Sequence, residues 1–159
     1  MIPRLRRYAR ALTGERAAAD DLVQDTLERA WRKLALWRPG SDLRAWLFTI
    51  MHNVFVNQVR ARRLVPLALD DAALAETIGG GDPGPATDLM DLDRALARLP
   101  DEQRAVLLLV GLEQFSYQEA ADVLAVPIGT VMSRLHRGRE RLRELLDAAA
   151  PVQPLRVVK

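Results

Sequence analysis

The stretch Phe115–Leu146, FSYQEAADVLAVPIGTVMSRLHRGRERLRELL, decides how the chain is read. Ser116-Tyr117-Gln118-Glu119 has the form of a capping box, in which hydroxyl and carboxylate each satisfy an orphan helix amide. It predicts a helix over about 117–124. Pro127 suits the first turn of the next helix, over about 128–147. A short helix, a tight turn of about four residues and a longer basic helix make a helix-turn-helix. On the second helix Val131, Leu135, Leu142 and Leu146 share the inward face, and Met132, Ser133, His136, Arg137 and Glu140 the outward one. Arg134, Arg137, Arg139, Arg141 and Arg143 face only Glu140 and Glu144. Such a helix fits the DNA major groove, where Arg bonds guanine bidentately and Ser or His reaches base edges or phosphates. An arginine run by itself favours a solvated bundle face; capping box, turn and basic helix together favour DNA.

Upstream, two helices are expected over about 88–98 and 101–113, separated by Pro100. The first third of the chain is also helical. One helix covers about 3–12 and stops near Thr13-Gly14; a second runs from about Glu15 to Leu36. On the second, Val23, Leu27, Ala30, Trp31 and Leu34 form the apolar face, with Asp21, Gln24, Asp25, Glu28 and Arg32 opposite. Arg38-Pro39-Gly40 breaks the chain, and Ser41 is the expected cap of a third helix to about Arg63. That helix carries the stripe Leu43, Leu47, Ile50 and Val54, and a second apolar set, Phe48, Phe55 and Val59, well round from it. Strand signals are nearly absent, so the fold class is all-α.

Between these helical blocks, residues 64–87 lose periodicity, and Gly79–Pro85 (GGGDPGP) has linker composition. A free coil of that length spans roughly 25–30 Å, enough for two domains to dock at separate sites. Charge follows the same division. Residues 1–63 carry net +7, residues 64–93 net −7 and residues 94–159 net +2. Two basic-to-neutral pieces around an acidic connector suggest a polyanionic partner; a solubilising linker between ordinary domains gives the same pattern. The expected organisation is therefore 1–63, a flexible acidic linker 64–87, 88–147, and a loose tail 148–159.

Composition excludes other classes. The chain has no cysteine and two histidines, His52 and His136, so no cofactor or metal site is expected. No nucleophile–base pair or phosphate loop stands out, which argues against an enzyme. The longest strongly apolar run, Ala105–Val110, is too short for a bilayer, and the basic start leads into no apolar signal segment. The cytoplasm is the expected compartment.

With these residues in view, Phe115–Leu146 resembles sigma region 4, the reader of the −35 promoter element. LPDEQRAVLLLVGLEQFSYQEAA resembles the helices that precede it. RAAADDLVQDTLERAWRKL is similar to sigma region 2, and SDLRAWLFTIMHNVFVNQVRARR to the part that melts and reads the −10 element. Nearly the whole chain is covered, in the family's order, as in the small extracytoplasmic-function (ECF, group 4) sigma factors. PGSDLRAWLFTI and LLLVGLEQFSYQEAA also look like the general-stress branch. The resemblance implies a chain without catalysis that binds core RNA polymerase and promoter DNA, and is held by an anti-sigma factor.

Carried onto this sequence, the resemblance implies that Asp21, Leu22, Gln24 and Asp25 grip core polymerase. Trp46, Asn53 and Asn57 would hold an unstacked −10 base by stacking and edge hydrogen bonds. Arg60, Arg62 and Arg63 would meet phosphates. Ser133, Arg134, His136, Arg137 and Arg141 would contact the −35 element, Arg134 either there or as a brace within the domain. Plainer roles exist: a solvated face for the acidic set, and core packing for Trp46. Three positions depart from the pattern. Met132 stands where Lys or Arg is common, Asn57 where Asp is common, and Ala125 where the turn often has Gly. If that turn needs φ > 0, the alanine costs about 1 kcal/mol. The rival readings are a sigma-like mimic that sequesters an anti-sigma factor, usually attached to a receiver domain, and a plain helix-turn-helix repressor, which leaves the first 63 residues without a role.

Overall fold

The computed structural model describes residues 1–64 and 88–149, and their regular structure is helical throughout. The linker expected at 64–87, beyond Leu64, and the tail expected at 148–159, beyond Ala149, lie outside the described residues.

Helix α1 (Ile2–Thr13) ends at Gly14, whose φ of 74° is a left-handed C-cap and whose amide donates to the Arg10 carbonyl. Helix α2 (Arg16–Arg32) is shorter than expected, since a tighter 3-10 turn takes over Leu34–Leu36. Helix α3 (Leu43–Leu64) is capped by Asp42, not Ser41. The Asp42 carboxylate accepts from the Arg44 and Ala45 amides at 3.0 and 3.3 Å, while the Ser41 hydroxyl donates back to the Arg38 carbonyl at 2.6 Å. A carboxylate suits the positive end of a helix better than a hydroxyl does.

The second half holds α4 (Asp88–Arg98), α5 (Asp101–Leu107), a π-helical turn (Leu108–Leu112), α6 (Tyr117–Leu124) and α7 (Ile128–Ala149). The helix expected over 101–113 thus widens into the π turn before it ends. The capping box forms as read: Ser116 Oγ accepts from the Glu119 amide at 3.1 Å, and the Glu119 carboxylate accepts from the Ser116 amide at 2.7 Å. Ala125 has φ 54° and ψ 46°, the left-handed turn anticipated for it.

Helices α1–α3 close around Leu5, Leu12, Leu22, Met51 and Val54; α4–α7 close around Leu99, Val106, Leu109, Val123 and Val131. A Cβ on Gly138 of α7 would come 3.1 Å from a Leu107 methyl, so any larger residue there would push that side chain aside by a few tenths of an ångström. The two units are docked, and their buried residues form one continuous cluster. Phe48 bridges them, edge-on to Tyr8 at 5.1 Å and to Phe115 at 5.3 Å. Buried Arg104 donates to the Leu96, Ala97 and Leu99 carbonyls at the end of α4, and to the Leu12 carbonyl at the end of α1. One guanidinium therefore satisfies orphan carbonyls of two helices. Burial pulls its pKa down, and the Asp101 carboxylate at 3.1 Å opposes this.

Candidate nucleic-acid interface

The phase of α7 is the one expected. Val131 and Leu135 are buried, Leu142 and Leu146 half-buried, and Met132, Ser133, His136, Arg137, Arg139, Glu140, Arg141 and Arg143 exposed. The Ser133 hydroxyl donates to the Gly129 carbonyl at 3.0 Å, which fixes its rotamer and leaves it an acceptor toward solvent. His136 lies 3.3 Å from Glu140, and Arg141 3.5 Å from Glu144. Among the described residues Arg137 makes no ion pair. Arg134 differs from its neighbours. Its side chain is only 26% exposed and reaches Glu102 of α5 at 3.7 Å, a contact within its own unit.

On α3, Trp46, Asn53 and Asn57 share a face by their i, i+7, i+11 spacing. Asn53 and Asn57 are exposed, and Trp46 is half-buried against the core cluster. The Trp46 ring sits 6.4 Å from that of Trp37, tilted 44°. Trp37 was not singled out from the sequence, and its indole N–H is buried without a partner. Arg60, Arg62 and Arg63 are exposed and continue α3 toward its C-terminal end. His52 is half-buried on the same helix. Burial and the nearby Arg134 charge lower its pKa to about 4, so it is neutral at ordinary pH.

On α2, Asp21, Gln24 and Asp25 are exposed as expected. Leu22 is a correction. It is 0% exposed, so it holds α2 to the core and has no surface for a partner. Trp31 is another: it was expected to face inward and is 78% exposed. The buried stripe is Ala19, Leu22, Val23, Thr26 and Ala30, turned toward Leu22 from the expected centre. Thr26 belongs to it because its hydroxyl donates to the Leu22 carbonyl at 2.7 Å, which hides the polar atom. With that rotation, and with α2 stopping at Arg32, no described residue covers position 31. Trp31, Leu27 and Val23 instead floor an open groove of ≈ 730 Å³ whose rim includes Gln24, Glu28 and Arg6.

Comparisons with known proteins give a separate family match in each half of the chain. Residues 1–52 match the family described as the Sigma2 domain of PhyR, and residues 89–142 match Sigma-70, region 4. The chain is 42% identical over 147 residues to the ECF RNA polymerase sigma factor EcfG of Rhodopseudomonas palustris, covering 91% of this chain and 80% of that one. It is 36% identical to the ECF RNA polymerase sigma factor SigL of Mycobacterium tuberculosis, covering 89% and 81%. The sigma factor RpoE of Bartonella quintana, solved in complex with the anti-sigma factor NepR, superposes with a TM-score of 0.73 at 38% identity, covering 94% and 93%. The PhyRSL–NepR complex from Sphingomonas sp. Fr1 gives 0.63 at 25% identity, covering 99% and 91%. A helix-turn-helix with its basic face uncovered, an acidic α2 face and these matches over both halves place this chain in the family of ECF RNA polymerase sigma factors.

Proposed function

We propose that the chain binds core RNA polymerase and directs promoter-specific initiation, with no chemistry of its own. Units 1–63 and 88–147, joined by 64–87 and followed by the tail 148–159, divide the work. Asp21, Gln24 and Asp25, extended by Trp31 and its groove, engage core polymerase. Asn53, Asn57 and Trp46 read the −10 element, Arg60, Arg62 and Arg63 meet its phosphates, and Ser133, His136, Arg137 and Arg141 contact the −35 element. Arg134 supports that face from within. The observation that carries this reading is the exposed row Ser133, His136, Arg137 and Arg141 on α7, over a correctly buried Val131–Leu135 stripe. The chain acts where polymerase acts, in the cytoplasm; no described helix is long and apolar enough to cross a membrane.

A helical anti-sigma factor is a further partner on this reading. The support is the likeness to RpoE of Bartonella quintana, whose structure holds the anti-sigma factor NepR. The same likeness gives the mimic a specific argument, since residues 1–52 match the Sigma2 domain of PhyR and PhyR is also solved with NepR. The exposed arginines of α7 and the higher identity to EcfG favour the sigma factor. Adding the purified chain to core polymerase separates the two: a sigma factor shifts a promoter fragment and starts transcription, whereas a mimic binds the anti-sigma factor and does neither.

A further inference from the structure

The two helical units are docked through a contact that a chain engaged on both promoter elements cannot keep. By their own numbering the −10 and −35 elements lie about 25 base pairs apart, or about 85 Å at ~3.4 Å per base pair. A compact chain of this length has a radius of gyration of about 15 Å. Docked units therefore cannot touch both elements, whereas 24 linker residues reach roughly 80 Å when extended.

Beside the packing of α3 on α6 and of α1 on α4, and the Arg104 bond to the Leu12 carbonyl, the docking includes the segment that leaves the π turn. Glu113 is 0% exposed, and its carboxylate has no cation from its own unit among the described residues. Its Oε1 accepts from Arg7 at 3.2 Å and its Oε2 lies 3.3 Å from Arg4, both on α1 of the other unit. Its carbonyl accepts from Arg44 of α3 at 3.1 Å. Gln114 then takes φ 58°, left-handed without being glycine, and delivers Phe115 against Phe48, with the Arg44 guanidinium 3.9 Å above the ring. A π turn and a left-handed glutamine are uncommon backbone and persist where surrounding contacts hold them. A buried carboxylate likewise needs its partners. Arg4 and Arg7 are about half exposed, so separation of the units would return their charges, and that of Glu113, to water.

We infer that Glu113 and Phe115 form a lock between the two units, which keeps the free chain closed and which core polymerase must open. The inference rests on the sigma-factor reading. The chain has no cysteine, and Ala17 and Ala97 are exposed alanines, one on each unit, so Ala17→Cys/Ala97→Cys supplies a spin-label pair. The free full-length chain should give one short distance, and the complex with core polymerase and promoter one longer by several tens of ångströms. Arg4→Glu/Arg7→Glu sets two carboxylates against Glu113 without touching either core. It should populate the long distance without polymerase. It should also lower the apparent Kd for core, by about tenfold if one free wild-type chain in ten is open. Glu113→Gln, nearly isosteric, should act in the same direction. A long distance in the free wild-type chain, a short one in the polymerase–promoter complex, or an opened variant with unchanged affinity for core would each overturn the lock. Failure of the wild-type chain to bind core at all, read from the binding curve and not from the distance, would overturn the sigma-factor reading itself.

Discussion

The side-chain amide of Gln58 on α3 donates to the Asp25 carboxylate on α2 at 2.9 Å. The helix assigned to polymerase and the helix assigned to the −10 element thus share a hydrogen bond, and Asp25 has an internal role beside its proposed external one. The two roles separate by mutation. Asp25→Arg should weaken core binding at least tenfold with helicity intact. Gln58→Ala, which removes an exposed bond of at most about 1 kcal/mol, should leave it within about threefold. Titration of each variant with core polymerase decides it; equal losses would make Asp25 a positioning residue and not a contact.

Arg104 should be among the least replaceable residues of the fold. Its five hydrogen bonds hold the ends of α4 and α1 and the Asp101 carboxylate. Arg104→Lys keeps the charge but has three donors on one nitrogen and cannot span the carbonyls. A loss of about 3 kcal/mol is expected in urea unfolding; a loss below about 1 kcal/mol would show that water replaces the guanidinium.

Ala125 offers the opposite case. At φ 54° its Cβ is strained in a way that glycine avoids. Ala125→Gly should gain about 0.5–1 kcal/mol, seen as a higher unfolding midpoint, with −35 binding retained. An unchanged or lower midpoint would mean that the turn carries no such strain.

His52 should make stability fall in mild acid. Its folded pKa of about 4 lies below the ordinary 6.5. The unfolded chain therefore takes up the proton first, and stability is full above about pH 6.5 and declines as pH drops toward 4. The decline reaches at most about 3 kcal/mol. Carboxylates add their own dependence, so the measurable quantity is the difference between wild type and His52→Gln in denaturant midpoints at pH 7.5 and 5. Parallel midpoints at the two pH values would contradict it.

What was legible in the sequence was local. The Ser116–Glu119 capping box and the phase of α7 are written within a few residues of one another, and all of them form as read. The elements that dock the two units are not local. Glu113 meets Arg7 across 106 positions, and Arg104 meets the Leu12 carbonyl across 92. Periodicity carries no such pairing; the one available signal was a lone glutamate closing an apolar run, LLLVGLEQF. Trp31 failed for a different reason. An apolar stripe fixes a face only to within about one residue, and in the last turn of α2 that margin decides between core and solvent.

The most direct test is selection of DNA from a random pool by core polymerase loaded with this chain, repeated with Arg137→Ala and Arg141→Ala and with binding measured at several salt concentrations. A sigma factor of this form enriches two sequence blocks at a fixed spacing, one for each unit. Arg137→Ala, on the half of α7 proposed to face the bases, should cost about 1–3 kcal/mol and relax one or two positions of the upstream block only. Arg141→Ala, further along, should weaken binding to all sequences alike and lower the salt slope by about one unit. Enrichment of no block by the loaded polymerase, or an upstream block that Arg137→Ala leaves unchanged, would contradict the assignment of α7 as the promoter reader.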